Sequence, residues 1–305
     1  MNIPEWFQKR MVDVFGEAGK VWLTKLDSTI HFCEKEWKLQ IGEPVSNLSY
    51  NYVLHAKEPN GTPVMLKLGV PSFDFSNEIN TLNVYGGKGC ARLLKADAER
   101  GAMLLEKLVP GTMLSEEKDE KAAVHQFLEV WSAIRRPVPA ECKSPTILDW
   151  ASGLGRYNSM HPNGDGPIDS RYIEMAQAYF AELTESTIGM ELLHGDLHHE
   201  NILYDEEKGW LAIDPKGVVG DPYFDLISFM TNHLLKKENP KRLLSQRVEW
   251  ISECLSLDRN RLLKAAVAMG ILSACWGIED HDPDWQQAYT CAKWFKEILI
   301  EDEGK

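Results

Sequence analysis

The chain has 305 residues, which is enough for one large domain or two modest ones with a sizeable hydrophobic core. Hydrophobic residues make up 44% and charged residues 26%, an ordinary balance for a soluble globular protein. The formal net charge is −13, and no cluster of lysine and arginine supplies the basic face of a nucleic-acid-binding protein. Nucleic acid is therefore not an expected partner, and the acidity indicates either solubility or an acidic cleft that attracts a cationic ligand.

The first residues and the cysteines exclude further classes of protein. Residues 1–6 contain no basic segment followed by an apolar run, so we expect no signal peptide. No uninterrupted apolar stretch approaches the roughly 20 residues that span a bilayer, so we expect no membrane partner. The six cysteines are scattered without a CxxC pair, which argues against a disulfide framework and a cysteine zinc site. A cytoplasmic location fits these features best.

The elements predicted for the first hundred residues form a mainly antiparallel sheet with one inserted helix. Alternating β-prone residues and the turn sequence at 59–63 indicate a hairpin. In chain order we expect an amphipathic helix at 4–18, strands near 28–32 and 37–41, a polar turn at 42–49, strands at 50–56 and 64–68, a helix near 75–85, and strands near 91–95 and 102–107.

Helical periodicity dominates the rest of the chain. We expect helices within 116–135 and 169–188 and from residue 240 to the end, and a loop at 157–167. The change of pattern near Pro110 predicts an α+β protein with an N-terminal domain at 1–108 and a larger, mainly helical C-terminal domain at 109–305.

Three polar residues in the second half of the chain have the spacing of a catalytic motif. Asp196 and Asn201 lie in a polar turn between apolar runs, and Asp214 follows the apolar run 210–213. Phosphoryl transfer needs a carboxylate at the acceptor hydroxyl, and an amide and a second carboxylate to hold magnesium against the nucleotide phosphates. The spacing predicts a small-molecule kinase with Asp196 as catalytic base and Asn201 and Asp214 as magnesium ligands. The alternative is a surface turn whose side chains satisfy backbone groups.

Three histidines in the same segment allow a second interpretation. His194 and His198 have the spacing of zinc ligands on a helix, and with His199 they indicate a metal-dependent hydrolase. However, Gly195 lies between them and makes a regular helix doubtful. We therefore expect His194 to pack beneath the turn and to hydrogen-bond with its backbone.

The segment 220–226 carries two further acidic residues. Asp225 is expected to brace the catalytic turn by accepting backbone N–H groups. For its neighbour Asp221 the simple interpretation is a helix cap.

A single charge, Lys67, interrupts the apolar run 64–68. An ammonium buried without a partner is costly, so we expect Lys67 to reach nucleotide phosphates, held by Glu78 on the following helix. An edge-strand lysine in water is the alternative. Two other segments should contact the nucleotide. One is a hydroxyl-rich turn that would cover the phosphates, and the other is the backbone where the two predicted domains join. Their residues are Ser46, Asn47 and Ser49, and Glu106 and Leu108.

With these residues, the chain resembles the aminoglycoside phosphotransferases of the protein-kinase-like superfamily, and within them the aminoglycoside 6-phosphotransferase/hydroxyurea kinase group. Most of the chain takes part in the resemblance. Its most specific parts are HGDLH at 194–198, IDPKG at 213–217 and GDP at 220–222, in this order. Lys67, Glu78 and the run 102–111 also match.

The resemblance implies a bilobal protein-kinase-like fold, ATP as the phosphate donor with GTP left open, and Mg²⁺ as the metal. It implies transfer to an alcohol hydroxyl of a small molecule, with streptomycin as the usual substrate of the group. A kinase of a sugar alcohol, an amino alcohol or a hydroxyurea-like compound remains an alternative, as does a nucleotide-binding pseudokinase. We expect a monomer or a weak dimer.

The acceptor should bind to the helical lobe, where the segment 273–285 is acidic and aromatic. Trp276 offers a face for a cation–π contact, and Glu279 and Asp280 offer carboxylates to guanidinium or ammonium groups. The competing interpretation is a solvated acidic loop between two helices.

Overall fold

In a computed structural model that describes residues 3–304, the chain forms two compact units. The first unit comprises the described residues up to Thr112 together with Leu203–Lys216. The second comprises Met113–Ile202 and the described residues from Gly217 onward. An antiparallel sheet dominates the first unit and helices dominate the second, so the predicted α+β class is confirmed.

The elements are numbered along the chain. The helices are α1 (Glu5–Glu36), α2 (Phe73–Tyr85), α3 (Glu120–Ile134), α4 (Ile147–Met160), α5 (Ser170–Glu185), α6 (Ile227–Thr231), α7 (Pro240–Leu255), α8 (Arg259–Glu279) and α9 (Gln286–Glu303). The strands are β1 (Gln40–Pro44), β2 (Tyr52–Lys57), β3 (Pro63–Leu68), β4 (Leu93–Asp97), β5 (Ala102–Glu106), β6 (Pro110–Met113), β7 (Glu191–Leu193), β8 (Ile202–Asp205), β9 (Gly209–Ala212) and β10 (Val218–Gly220). Short 3-10 helices lie at Leu114–Glu116, His199–Asn201, Pro222–Leu226 and Leu234–Lys236.

The main sheet of the first unit has five strands in the order β1-β2-β3-β5-β4, and neighbouring strands are antiparallel. The predicted hairpin turn connects β2 to β3. In the central strand β3, Lys67 lies opposite Val53 on one side and Met103 on the other. Lys67 is therefore a buried residue of a central strand, and its interpretation as an edge-strand lysine in water is wrong.

Helix α1 differs most from the sequence-based expectation. The strand predicted near residues 28–32 is wrong, because α1 continues to Glu36. A break at Gly16, with φ of 56° and ψ of −129°, separates two helical segments. After the break, apolar residues recur at helical spacing and pack into the core of the first unit. They are Trp22, Leu26, Ile30 and Cys33.

Helix α8 is the central helix of the second unit and packs against α4, α5 and α9. Among residues 3–304 it is the one helix long and apolar enough to cross a membrane, but 67% of its most apolar window is buried. Packing against its neighbours accounts for this composition. The helical stretch expected from residue 240 onward consists of α7, α8 and α9.

Helix α4 is absent from the sequence-based expectations, and residues 157–160, expected in a loop, form its last turn. A capping box starts this helix. Thr146 Oγ1 accepts the backbone N–H of Asp149, whose carboxylate accepts the backbone N–H of Thr146. A threonine followed three residues later by an acidic residue is a helix-start signal, so the start of α4 could have been predicted from the sequence.

Two small sheets position the motif-bearing segments. In the second unit β7 pairs with β10, with Leu193 opposite Val218, and the turn that contains Asp196 follows β7 directly. The strands β6, β8 and β9 form a three-stranded sheet in the order β6-β8-β9. Asp214 follows the last of these strands.

Candidate active site

Lys67, Glu78 and Asp214 form an ionic cluster in the first unit. The Lys67 ammonium lies 2.6 Å from Glu78 Oε1 and 3.1 Å from Asp214 Oδ1. Lys67 is only 2% exposed, whereas 41% of the Asp214 side chain is exposed. Burial alone would lower the pKa of Lys67, but the carboxylates of Asp214 and Glu78 outweigh burial and raise that pKa. Lys67 therefore stays charged, beside the partner expected from the sequence.

The backbone around Asp214 presents its carboxylate. Asp214 has a φ of 58°, in the left-handed region that few residues other than glycine adopt. Two residues further along, the Lys216 carbonyl accepts a 2.6 Å hydrogen bond from Nδ2 of Asn77. Because Asn77 and Glu78 are neighbours on α2, this helix holds both the partner of Lys67 and the segment that follows Asp214.

The turn that contains Asp196 is braced from two directions within the second unit. The carboxylate of Asp225 accepts the backbone N–H groups of His194 and Gly195 at 2.9 and 2.7 Å. His194 is fully buried, and its Nδ1 accepts the backbone N–H of Asp196 at 3.2 Å. Gly195 has a φ of 81°, which favours glycine. These are the contacts that the sequence predicted for His194 and Asp225.

Burial dominates the chemistry of Asp225, which is 4% exposed. It raises the pKa of this carboxyl to about 6, although the hydrogen bonds from Gly195 and His194 oppose the shift. The neighbouring Asp221 caps the 3-10 helix Pro222–Leu226 by accepting the backbone N–H of Tyr223 at 2.9 Å. The two carboxylates thus have separate tasks, one supporting the turn and the other starting the next helix.

Asn201 lies five residues after Asp196 and hydrogen-bonds back to it. Its Nδ2 donates to the Asp196 carbonyl at 2.9 Å and lies 3.2 Å from His198 Nε2. Both contacts use the amide nitrogen, so the amide oxygen is the atom that remains for a ligand. Amide and carboxylate oxygens are ligands that Mg²⁺ prefers, so the donor atoms of Asn201 and of the partly exposed Asp214 each suit this ion.

The three neighbouring histidines have three different partners rather than one metal. His194 accepts from the backbone, as described above, and His198 Nδ1 lies 3.0 Å from Glu200 Oε2. His199 stacks on Phe229, with ring centroids 4.2 Å apart. Within residues 3–304, no group of three or more His, Cys, Asp and Glu side chains is arranged to hold a metal ion. The zinc-hydrolase interpretation therefore has no geometric support.

The residues predicted to contact the nucleotide lie in two segments of the first unit. Ser46, Asn47 and Ser49 are exposed in the turn between β1 and β2, where Leu48 is buried between them. The turn thus presents hydroxyl, amide and backbone groups to solvent while one apolar side chain anchors it.

The second segment follows β5. The Glu106 carboxylate accepts the backbone N–H of Arg92 at 2.9 Å and forms an ion pair with Lys208. Leu108 is 5% exposed and packs with Ala91 and Leu211. Because these side chains contact the protein itself, it is the backbone of this segment that remains a candidate for purine recognition.

Trp276, Glu279 and Asp280, the predicted acceptor contacts, lie at the end of α8. Residues 273–279 belong to α8, so the competing interpretation of the segment 273–285 as a loop between two helices is wrong for this part of it. Glu279 accepts two parallel hydrogen bonds from Arg156, at 2.9 and 3.0 Å, and Trp276 packs edge-on against Trp150. Arg156 thus neutralises Glu279, whereas Asp280 is exposed.

The contacts of two further carboxylates, which hold neighbouring groups in place, were not predicted from the sequence. Glu200 contacts both His198 and His233. Asp205 accepts the backbone N–H of Val109 at 3.0 Å, across 96 positions of the chain. The polar run after β8 signals a hairpin turn, but no local pattern reveals which distant group such a carboxylate will bind.

Comparison with known proteins relates these groups to a family. Residues 36–281 match the family model described as aminoglycoside/hydroxyurea antibiotic resistance kinase. Streptomycin 6-kinase from Streptomyces griseus is 29% identical over 284 residues, which cover 92% of this chain and 92% of that protein. Hydroxyurea phosphotransferase from Kitasatospora aureofaciens is 29% identical over 274 residues, or 87% of this chain and 77% of that protein.

A solved structure shows the same architecture. A thermostable mutant of aminoglycoside phosphotransferase APH(4)-Ia, in ternary complex with ADP and hygromycin B, aligns with a TM-score of 0.62 and 13% identity. The alignment covers 88% of this chain and 97% of that chain. At this identity the likeness concerns the fold, and it confirms the predicted protein-kinase-like architecture. This chain belongs to the family of aminoglycoside/hydroxyurea antibiotic resistance kinases.

Proposed function

We propose that this phosphotransferase moves the γ-phosphoryl group of ATP to an alcohol hydroxyl of a polar, cationic small molecule, with streptomycin as the leading acceptor. The observation that carries the proposal is the pairing of Lys67 with Glu78 and Asp214, together with the braced turn that bears Asp196. Phosphoryl transfer is catalysed mainly by positioning and charge neutralisation, and these groups supply both. The similarity to a streptomycin 6-kinase supports this acceptor.

Four side chains are proposed to engage the phosphates and the metal. Lys67, kept charged by its neighbours, binds phosphate oxygens, and Glu78 holds the ammonium in place. Asp214 through its carboxylate and Asn201 through its amide oxygen would hold Mg²⁺. The chemistry such an ion would supply here is positive charge that offsets the negative charge developing on the phosphates.

Two segments complete the proposed nucleotide site. The backbone N–H groups and hydroxyls of the turn at 46–49 cover the phosphates, with Ser46, Asn47 and Ser49 as the contacting residues. The backbone of 106–108 contacts the purine edge. The exposure of the turn and the buried, paired side chains of the second segment support these assignments.

Asp196 is proposed to act on the acceptor. Its carboxylate orients the attacking hydroxyl and receives the proton as the oxygen bonds to the γ-phosphorus and the bond to ADP breaks. His194 and Asp225 act through Asp196, because they fix the backbone on which it sits.

Because the proposed acceptor is cationic, we place its binding site at the end of α8. Exposed Asp280 is the carboxylate best suited to a cationic group, with Trp276 supplying aromatic surface and Glu279 held by Arg156. Hydroxyurea is the second candidate acceptor, because a hydroxyurea phosphotransferase is as similar to this chain as a streptomycin 6-kinase. A small neutral acceptor would not need these carboxylates.

The test is a phosphorylation screen with the purified protein, ATP and Mg²⁺. Streptomycin, other aminoglycosides, hydroxyurea, sugar alcohols and amino alcohols are offered separately, and the product mass is measured. We expect streptomycin to gain one phosphoryl group. The Asp214→Ala variant should give no product, whereas Asp13→Ala, which removes an exposed carboxylate on α1, should behave as the unaltered protein.

Each outcome assigns the function differently. A mass gain on hydroxyurea alone would assign the second acceptor and overturn the first. Nucleotide binding without consumption stimulated by any acceptor would favour a pseudokinase. Full activity of Asp214→Ala would contradict the metal assignment.

A further inference from the structure

The first helical segment of α1, residues 5–15, folds back on the second segment of the same helix. In one straight helix Phe7 and Trp22 would be about 22 Å apart, because a helix rises about 1.5 Å per residue. Their ring centroids are only 6.3 Å apart. The break at Gly16 therefore turns the chain back on itself, with backbone angles that few residues other than glycine adopt.

The two segments approach each other most closely at Gly19. A Cβ atom at this position would lie 2.1 Å from the carbonyl oxygen of Met11. This separation is far shorter than a van der Waals contact, so the first segment can lie this close only because residue 19 has no side chain. Phe7 and Met11 are fully buried. The first segment is therefore an integral part of the core of the first unit.

The same segment packs beside the turn that is proposed to cover the nucleotide phosphates. Tyr52 begins β2 just after this turn, and its ring centroid lies 5.5 Å from that of Phe7. Leu48, the buried side chain within 46–49, belongs to the same hydrophobic core as Phe7. Apolar contacts thus hold the turn in its middle and at its end.

Arg10 connects the first segment to the turn at the protein surface. Its guanidinium carbon lies 5.2 Å from the ring centroid of Trp6 and 6.0 Å from that of Tyr50, within the range of a cation–π interaction. Both rings are about half exposed. This contact is therefore not part of the core, and it can be removed without opening a cavity.

The composition of the turn explains why it needs an external support. Residues 43–51 contain no glycine. Protein kinases cover the phosphates with a glycine-rich loop, whose backbone approaches them closely. Residues with side chains have a narrower choice of backbone conformations than glycine, and the packing of those side chains decides among them. The conformation of this turn therefore depends on the surface on which it packs.

We propose that the first helical segment of α1 positions the turn at 46–49 for the nucleotide phosphates, through Phe7 and Arg10. The inference rests on the proposed function, because it needs this turn to cover the phosphates. The segment lies before residue 36, where the match to the family model begins. Apparent affinity for a ligand falls in proportion to the fraction of molecules in the binding conformation. Displacement of the segment therefore weakens nucleotide binding.

The test displaces the first segment at its closest contact. Gly19→Ala places a methyl group against the carbonyl of Met11 and should push the two segments apart. Gly155→Ala is the matched control, because an added Cβ at this position of α4 meets open space. Hydrogen–deuterium exchange with mass spectrometry measures the order of the turn. Titration with a non-hydrolysable ATP analogue and Mg²⁺ measures the affinity for nucleotide.

Gly19→Ala should bind the analogue about tenfold more weakly than the unaltered protein. Its exchange should quicken at 46–51, whereas β3 and β5 should stay protected. The KM for ATP should rise with little change in kcat at saturating ATP, a split that a general loss of stability does not produce. Gly155→Ala should behave as the unaltered protein. Unchanged affinity in folded Gly19→Ala, or faster exchange throughout the sheet, would overturn the inference.

A second variant decides the question if Gly19→Ala fails to fold, which urea unfolding would reveal. Arg10→Ala leaves the core intact and should weaken binding of the analogue about threefold. Lys9→Ala removes the same charge from the preceding exposed residue and should leave the affinity unchanged. Equal affinities of these two variants would overturn the inference, because a shared loss indicates general attraction of the nucleotide and no loss indicates no support.

Failure of the proposed function would give a different result. In the unaltered protein the bound analogue should slow exchange at 46–51. If the analogue binds without this effect, the turn does not cover the phosphates, and both that assignment and this inference are wrong. If the unaltered protein binds no analogue, the proposed kinase activity itself is overturned.

Discussion

The backbone N–H of Gly195 donates a 2.7 Å hydrogen bond to Oδ1 of Asp225, thirty positions further along the chain. The N–H of His194 donates to the other oxygen of the same carboxylate. A buried carboxylate that accepts at both oxygens fixes the backbone N–H groups of the two residues that precede Asp196. The placement of the proposed catalytic base therefore depends on a side chain outside its own turn.

Asp225→Asn should weaken this support while preserving the size of the side chain. The amide offers one acceptor oxygen, and its NH₂ group faces a backbone N–H that is then left without an acceptor. We expect the free energy of unfolding to fall by about 2 kcal/mol and kcat to fall by about tenfold, with little change in the KM for ATP. Urea unfolding and steady-state kinetics measure these quantities. Asp13→Asn, an exposed change of the same kind, should alter neither, and equal behaviour of the two variants would contradict the bracing role.

Lys67→Met should destabilise the first unit, because it leaves the buried Glu78 without its ammonium partner. Breaking a buried ion pair from one side costs about 3–5 kcal/mol. Adding Glu78→Leu should recover much of that loss, since neither buried charge then remains, but turnover should stay absent because no cation reaches the phosphates. Denaturation of the single and double variants, with an activity assay on each, gives the comparison. A double variant as active as the unaltered protein would refute the role of Lys67.

Much of the site could be predicted because its chemistry is local in sequence. The turn at 194–201 and the lysine inside an apolar strand are visible as residue types at fixed spacing. Their partners are harder to foresee. Glu78 could be predicted as the partner of Lys67 because it lies on α2, the helix that directly follows the strand of Lys67. The pairing of Glu200 with His233 could not, because it depends on where the end of α6 lies in the folded unit.

The fold was predictable where patterns were long and failed where short runs misled. Residues 28–32 contain β-branched and aromatic residues and suggest a strand, yet they belong to a helix whose buried face repeats from Trp22 to Cys33. A longer window shows the helical period, and the break at Gly16 hides it. Tertiary packing against the sheet decided the outcome over local β-propensity.

His199 should make stability sensitive to mild acid. Burial lowers its pKa to about 3, while an unfolded histidine titrates near 6.5. Between these values the unfolded chain binds more protons than the folded chain, so the free energy of unfolding falls as pH drops below about 6.5. The slope approaches about 1.4 kcal/mol per pH unit at most. His199→Phe, which preserves a ring against Phe229, should flatten the dependence between pH 7 and pH 5 in urea unfolding. Parallel curves for the two proteins would show that other groups cause the acid sensitivity.

Asp280→Asn should discriminate between acceptors. Removal of an exposed carboxylate weakens attraction to a cationic acceptor by about 1 kcal/mol, so the KM for streptomycin should rise about fivefold with kcat nearly unchanged. The KM for ATP should not move. A neutral acceptor such as hydroxyurea should show no change, and an equal rise for both acceptors would assign Asp280 a structural role instead.

Arg247→Lys tests whether a planar guanidinium is needed behind His233. Nη1 of Arg247 serves the carbonyls of Phe229, Met230 and Asn232, while Nη2 and Nε bind Glu120. A lysine preserves the charge but has three donors on one atom, so it cannot serve both sets of acceptors. We expect a loss of about 2–4 kcal/mol in the free energy of unfolding, because buried acceptors are left unsatisfied. Urea unfolding of the variant and of the unaltered protein measures this loss. Equal free energies of unfolding for the two proteins would show that a positive charge at this position suffices and that the planar guanidinium is not needed.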